Sequence, residues 1–100
     1  MRTRVERQAK RAEVRAAVAW WRQQNPGLKV RVVTDPFAGW VLRTVEGEAR
    51  NVASMETVLI DYAIAHPARP TNFDFVREGM ARRWDAINLC YRSAEKGGSN

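Results

Sequence analysis

Cysteine and histidine are almost missing from this chain, and their scarcity removes several functions at once. The single cysteine, Cys90, permits no internal disulfide and fits a reducing compartment. The single histidine, His66, lies far from it in sequence, so the usual zinc-ligand spacings cannot be built. The six glycines are scattered and form no nucleotide-cradling loop. Aspartate and glutamate occur singly, with no pair facing inward from an apolar helix. No catalytic residue, metal or cofactor is therefore expected, and the chain reads as a non-enzyme. Arginine-rich RNA-cleaving toxins work without histidine, but nothing here marks such a site. No apolar run approaches the roughly 18 residues of a membrane span. The opening Met1, Arg2, Thr3 and Arg4 lead into a charged helical pattern rather than a signal peptide, so the expected setting is cytoplasmic, without a membrane partner.

What the chain has is positive charge and enough apolar residues to fold. Its 100 residues are 45% hydrophobic and include four tryptophans, which suits one modest core: a domain over residues 1–96 followed by a disordered tail over residues 97–100. The net charge is +6 and the pI near 10.4. Charge alone fits nucleic acid, an acidic or nucleoprotein surface or an anionic membrane as partner, and the expected partners are the first two. A homodimer is also compatible with it.

The chain is organised around residues 28–53, where basic and aliphatic side chains alternate. Leu28, Val30, Val32 and Thr34 fall on one face of a strand, and Lys29, Arg31 and Val33 on the other. The run Asp35, Pro36, Phe37, Ala38, Gly39 supplies a turn, since Pro presets one dihedral, Asp bonds its own backbone and Gly tolerates positive φ. With those five residues as the loop, Thr34 faces Trp40, Val32 faces Leu42 and Arg31 faces Arg43. Leu28, Val30, Val32, Trp40 and Leu42 should then pack on helices, with Trp40 in the core. Lys29, Arg31 and Arg43 are left on the other face among Val33, Val41 and Val45. A turn at Glu46, Gly47 and Glu48 leads into a short third strand over residues 50–53, where Arg50 extends the basic face. Like charges opposite one another destabilise a sheet, so Arg31 and Arg43 call for phosphate, or for neutralisation by Glu46, Glu48 or a helix carboxylate.

Helices flank this stretch. Thr3 and Glu6 form a capping box for a helix over residues 3–24. Val14, Ala17, Val18 and Trp21 cluster on one of its faces, and Val5, Ala9, Ala12, Ala16 and Trp20 on nearly the opposite one. Between them runs a stripe of Arg4, Arg11, Arg15 and Arg22, flanked by Arg7 and Gln8. A solvated helix face usually mixes signs, so this stripe is the most suggestive electrostatic feature. Ser54 caps a second, largely apolar helix reaching His66, the expected central buried element, with His66 serving its C-terminal end. After a connector over residues 67–70, Thr71 or Asn72 caps a third helix to about residue 94. Phe73, Val76, Met80, Trp84, Ile87 and Tyr91 make its core stripe, with Phe75, Leu89 and Cys90 as a second patch. Arg82 and Arg83 should be solvated. Gly79 costs about 1 kcal/mol in a helix and points to close packing or a bend.

The expected fold is therefore α+β: a long N-terminal helix, two or three antiparallel strands, then two helices. Over residues 29–66 this layout resembles the small three-stranded-sheet modules with which phage integrases grip arm-site DNA. The likeness implies a sheet entering the major groove, backed by one helix. In size and Ala/Arg-rich style the chain is also similar to small phage accessory proteins, including inhibitors of bacterial defence complexes of the anti-CRISPR kind. Two functions follow. One is nucleic-acid binding, mainly to phosphates, through Arg4, Arg11, Arg15 and Arg22 and the sheet face of Lys29, Arg31, Arg43 and Arg50. The alternative is stoichiometric inhibition of a host nucleoprotein.

Overall fold

A computed structural model describes the backbone of residues 3–98 and the side chains of residues 3–86. Thr3 opens α1 (Arg4–Gln24), where its hydroxyl accepts the Glu6 N–H at 3.2 Å, the hydroxyl half of the capping box read from sequence. Asn25 closes the helix and leads to β1 (Val30–Asp35), β2 (Gly39–Thr44) and β3 (Asn51–Ser54), an antiparallel sheet in the order β1-β2-β3. Ser54 then caps α2 (Met55–Ala65), accepting the Thr57 N–H at 3.2 Å, and α3 (Asp74–Gly98) follows. This is the α+β order expected, with all three strands present.

The turn sets the hairpin register. Asp35 Oδ1 accepts the N–H groups of Phe37 (2.8 Å) and Ala38 (2.9 Å), and Gly39 takes φ 73°, where a Cβ would be strained. Thr34 therefore pairs with Trp40, Val32 with Leu42 and Arg31 with Arg43, the register expected. Against β3 the pairing slips between Leu42 and Arg43, so Asn51 faces Arg43 and Ala53 faces Leu42. That irregularity is a bulge, invisible to a period-2 reading.

The core forms where α2 crosses the sheet. Met55, Val58, Leu59, Ile60, Tyr62 and Ala63 are buried there, and α2 packs on α1, α3, β2 and β3. Ala17 and Val18 of α1, Val30 and Leu42 of the sheet and Val76 of α3 complete the cluster. Gly79 lets α3 approach this helix, because a Cβ there would clash with Ile60 Cδ1; close packing is its role. His66 ends α2, donating Nδ1–H to the Tyr62 carbonyl (2.8 Å) and lying 4.3 Å from the Tyr62 ring. Glu13 of α1 holds the following connector by accepting from Thr71 Oγ1 (2.5 Å), Asn72 N (2.7 Å) and Asn72 Nδ2 (3.0 Å). The helix itself begins at Asp74, so Thr71 and Asn72, expected as its cap, serve this tether instead.

Several expected core positions are not core. Trp40 is 58% exposed, and Val32 on the edge strand is 38% exposed. Both point to the helix-facing side, but in front of Trp40 the helices leave an open groove instead of packing against it. Val41, assigned to the outer face, is 2% exposed on the central strand, flanked by Val33 and Ser54. Val5 and Trp84 are exposed as well, since α1 and α3 run past the elements that would cover them. Arg83, expected in solvent, pairs with Asp61 of α2. The side chains of Ile87, Leu89, Cys90 and Tyr91, and the residues Ser99 and Asn100, lie outside the described residues.

Candidate functional site

The outer sheet face is less free than its sequence suggests. Arg43 Nη2 donates to Asp35 Oδ2 at 2.9 Å and Arg43 Nε to Asn51 Oδ1 at 2.8 Å, while Asn51 Nδ2 donates to Asp35 Oδ2 at 3.2 Å. One residue from each strand thus joins a polar network. It is Asp35, the turn residue, that neutralises Arg43, and not Glu46, Glu48 or a helix carboxylate. The Ala38 and Phe37 N–H groups, then Asn51, with Arg43 beside them, hold the Asp35 carboxyl below the usual aspartate range. Lys29 meets Glu46 at 2.9 Å in an exposed pair worth about 0–1 kcal/mol. Arg31 makes no ion pair among the described residues and stays exposed. Arg50 is exposed just before β3, where its N–H donates to Thr44 Oγ1 at 3.0 Å.

The helix stripe also divides. Arg22 Nη2 donates to the Val30 carbonyl at 2.8 Å, tying the end of α1 to the start of β1. Arg4 is exposed in the first turn. Arg11 and Arg15 line a groove of about 700 Å³ between α1, the hairpin and the beginnings of α2 and α3. Its α1 wall also carries Arg7 and Lys10. The facing parts supply Trp40 from β2 and Phe73 and Phe75 from the start of α3, with Met55 and Leu59 of α2 also in the lining. Glu56 is the one carboxylate lining it, against four cations. Lys10 Nζ lies 5.4 Å from the centroid of the Phe73 ring, which is 5.2 Å from that of Phe75.

Lys10 is the residue a stripe-based reading missed, and Arg7, placed only at the stripe's flank, turns out to line the groove with it. At about 100° per residue both fall at the angles of the apolar face that carries Val14, Ala17 and Trp21. A cation at a core-facing angle was the available signal. It marks where the helix outruns the core and its inner face looks into the groove. Trp40 was missed for a related reason, having been assigned to the interior. The groove and the outer sheet face look in opposite directions, because Trp40 and Leu42 alternate with Val41 and Arg43 along β2. Arg31 and Arg43 are thus not brought together with Arg11 and Arg15.

Chemically the groove offers permanent positive charge and exposed ring faces, with no acid–base pair. Among the described residues no three metal-ligating side chains cluster, and no helix is long and apolar enough to cross a membrane. No family model, curated protein or solved structure matches the chain.

Proposed function

We propose that the chain is a non-catalytic nucleic-acid-binding protein that grips phosphates in the groove beside α1. The observation that supports this most is the gathering of Arg7, Lys10, Arg11 and Arg15 on one wall, with none of the four in an ion pair among the described residues. Such crowding has a cost. Like charges four apart on a helix destabilise it by about 0.2–0.5 kcal/mol per pair, and cations are disfavoured near a helix N-terminus. A polyanion relieves both. Arg7, Arg11 and Arg15 recur every four residues, roughly 6 Å apart along the axis, a row that a phosphate backbone can follow. A cytoplasmic setting provides such partners.

The test is the salt dependence of binding. The double substitution Arg11→Gln and Arg15→Gln should weaken binding to unrelated nucleic-acid sequences alike. It should also lower the slope of log K against log salt by roughly 1.4 to 1.8 units, since each lost phosphate contact retains its counterions. An unchanged slope would sink the proposal.

A second reading, inhibition of a bacterial complex by stoichiometric docking, is favoured by Phe37 and Trp84. Phe37 is 100% exposed at the hairpin tip and Trp84 64% exposed on α3, both outside the groove. Exposed aromatics of this kind anchor protein interfaces. Under this reading Phe37→Ser with Trp84→Ser abolishes capture of the partner, while Arg11→Gln with Arg15→Gln mainly slows association.

A further inference from the structure

We infer that the groove selects single-stranded nucleic acid over duplex, with Trp40 as the platform on which a base stacks. This rests on the phosphate-binding reading and adds the form of the ligand. Charge and ring faces are divided between different elements lining the groove: Arg7, Arg11 and Arg15 on α1, Trp40 and Phe75 on the hairpin and the start of α3. A single strand presents its phosphates on one side and unstacked bases on the other, so both kinds of surface are satisfied together. In a duplex the base faces are covered by their neighbours, which leaves the rings with nothing to receive.

The exposure of Trp40 supports the assignment. The same face of β2 buries Leu42 completely two residues later, yet Trp40 remains 58% exposed. Phe75 in the same groove is 38% exposed. Aromatic rings left open beside a row of cations that make no ion pair among the described residues are the pairing that single-strand binders use, because every base has a π-face and stacking is indifferent to sequence. Binding should therefore be tolerant of sequence and dependent on bases as well as phosphates.

The experiment compares four probes of about 15 units, within the span such sites cover: oligothymidylate, oligouridylate, an abasic phosphodiester strand and a duplex. Affinities are measured for the full chain at several salt concentrations. The two base-bearing single strands should bind at least ~10-fold more tightly than either the abasic strand or the duplex. Trp40→Leu should remove most of that advantage while leaving the salt slope intact. Phe75→Leu gives an independent, smaller loss, and circular dichroism confirms that each variant is folded. Equal affinity for the abasic strand or the duplex overturns single-strand selection and leaves phosphate binding standing. Unchanged oligothymidylate affinity in folded Trp40→Leu overturns the role of Trp40. Failure of all four probes to bind at low salt overturns both readings.

Discussion

Trp40 and Leu42 project from the same face of β2, yet Leu42 is 0% exposed and Trp40 58%. One residue, Val41, separates them along β2, yet one side chain is enclosed and the other lines an open groove. Leu42, paired with Val32, belongs to the core cluster with Val30 and the buried α2 side chains, while Trp40 stands at the hairpin end with the groove in front of it.

The stability effects of these neighbours should therefore differ sharply. Leu42→Ala removes a fully enclosed side chain from the central strand and should cost about 2–5 kcal/mol. Trp40→Ala should change stability by less than about 1 kcal/mol, as surface substitutions do. Urea titrations of both variants decide it: a Trp40→Ala loss comparable to that of Leu42→Ala would return Trp40 to the core.

Arg31 makes no ion pair among the described residues, and the sheet separates it from the groove. Arg31→Gln should leave oligonucleotide affinity within about twofold of the parent, whereas Arg11→Gln alone removes about one counterion's worth of salt slope. If Arg31→Gln produced the larger loss, the binding surface would have to be moved to the other side of the sheet.

Gly79 and Ile60 should be energetically coupled. Gly79→Ala gains about 1 kcal/mol in helix propensity but pushes a methyl group into Ile60 Cδ1, and overpacking typically costs about 1–3 kcal/mol. A net loss of roughly 1 kcal/mol is expected. Ile60→Val deletes the obstructing methyl, so the double variant should be more stable than the sum of the singles by at least about 0.5 kcal/mol. Strict additivity in a double-mutant cycle would mean that the two helices do not meet there.

Asp35 should make stability depend on acid. Its folded carboxyl titrates below its ordinary value, chiefly through the Ala38 and Phe37 N–H groups, so the ionised form stabilises the fold. That contribution is complete above the unfolded value of roughly 3.9 and is lost as pH falls through the lowered folded value. Thermal melts of the parent and Asp35→Asn should therefore differ at neutral pH and converge in acid below pH ~3.9. A gap that stayed constant down to the acid limit would show that the carboxylate charge plays no part in holding the turn.

The sequence by itself determined those features whose physics is local. The turn from Asp35 to Gly39 dictates the hairpin register, because a side chain bonding its own backbone and one glycine with positive φ leave little freedom in loop length. Thr3 and Ser54 begin their helices through bonds three residues long. The apolar run of α2 admits few places other than the centre. Tertiary structure decided how far each element is covered and which charge meets which. Alternation names the face on which Trp40 lies, but only the way the helices pack around it leaves a groove there and the ring open. Asp35 is a turn residue by local chemistry; the strand pairing sets it beside Arg43 and Asn51. Arg22 and Arg15 belong to one stripe on the helix, yet one bonds the Val30 carbonyl and the other faces the groove, because β1 starts beside the last turn of α1 and the hairpin ends beside an earlier one. Arg7 and Lys10 share an angle with Val14, Ala17 and Trp21 and differ from them only in lying beyond the end of the core. Period and capping act over a few residues, whereas coverage and ion pairing depend on elements that are distant in the chain and meet only once it has folded.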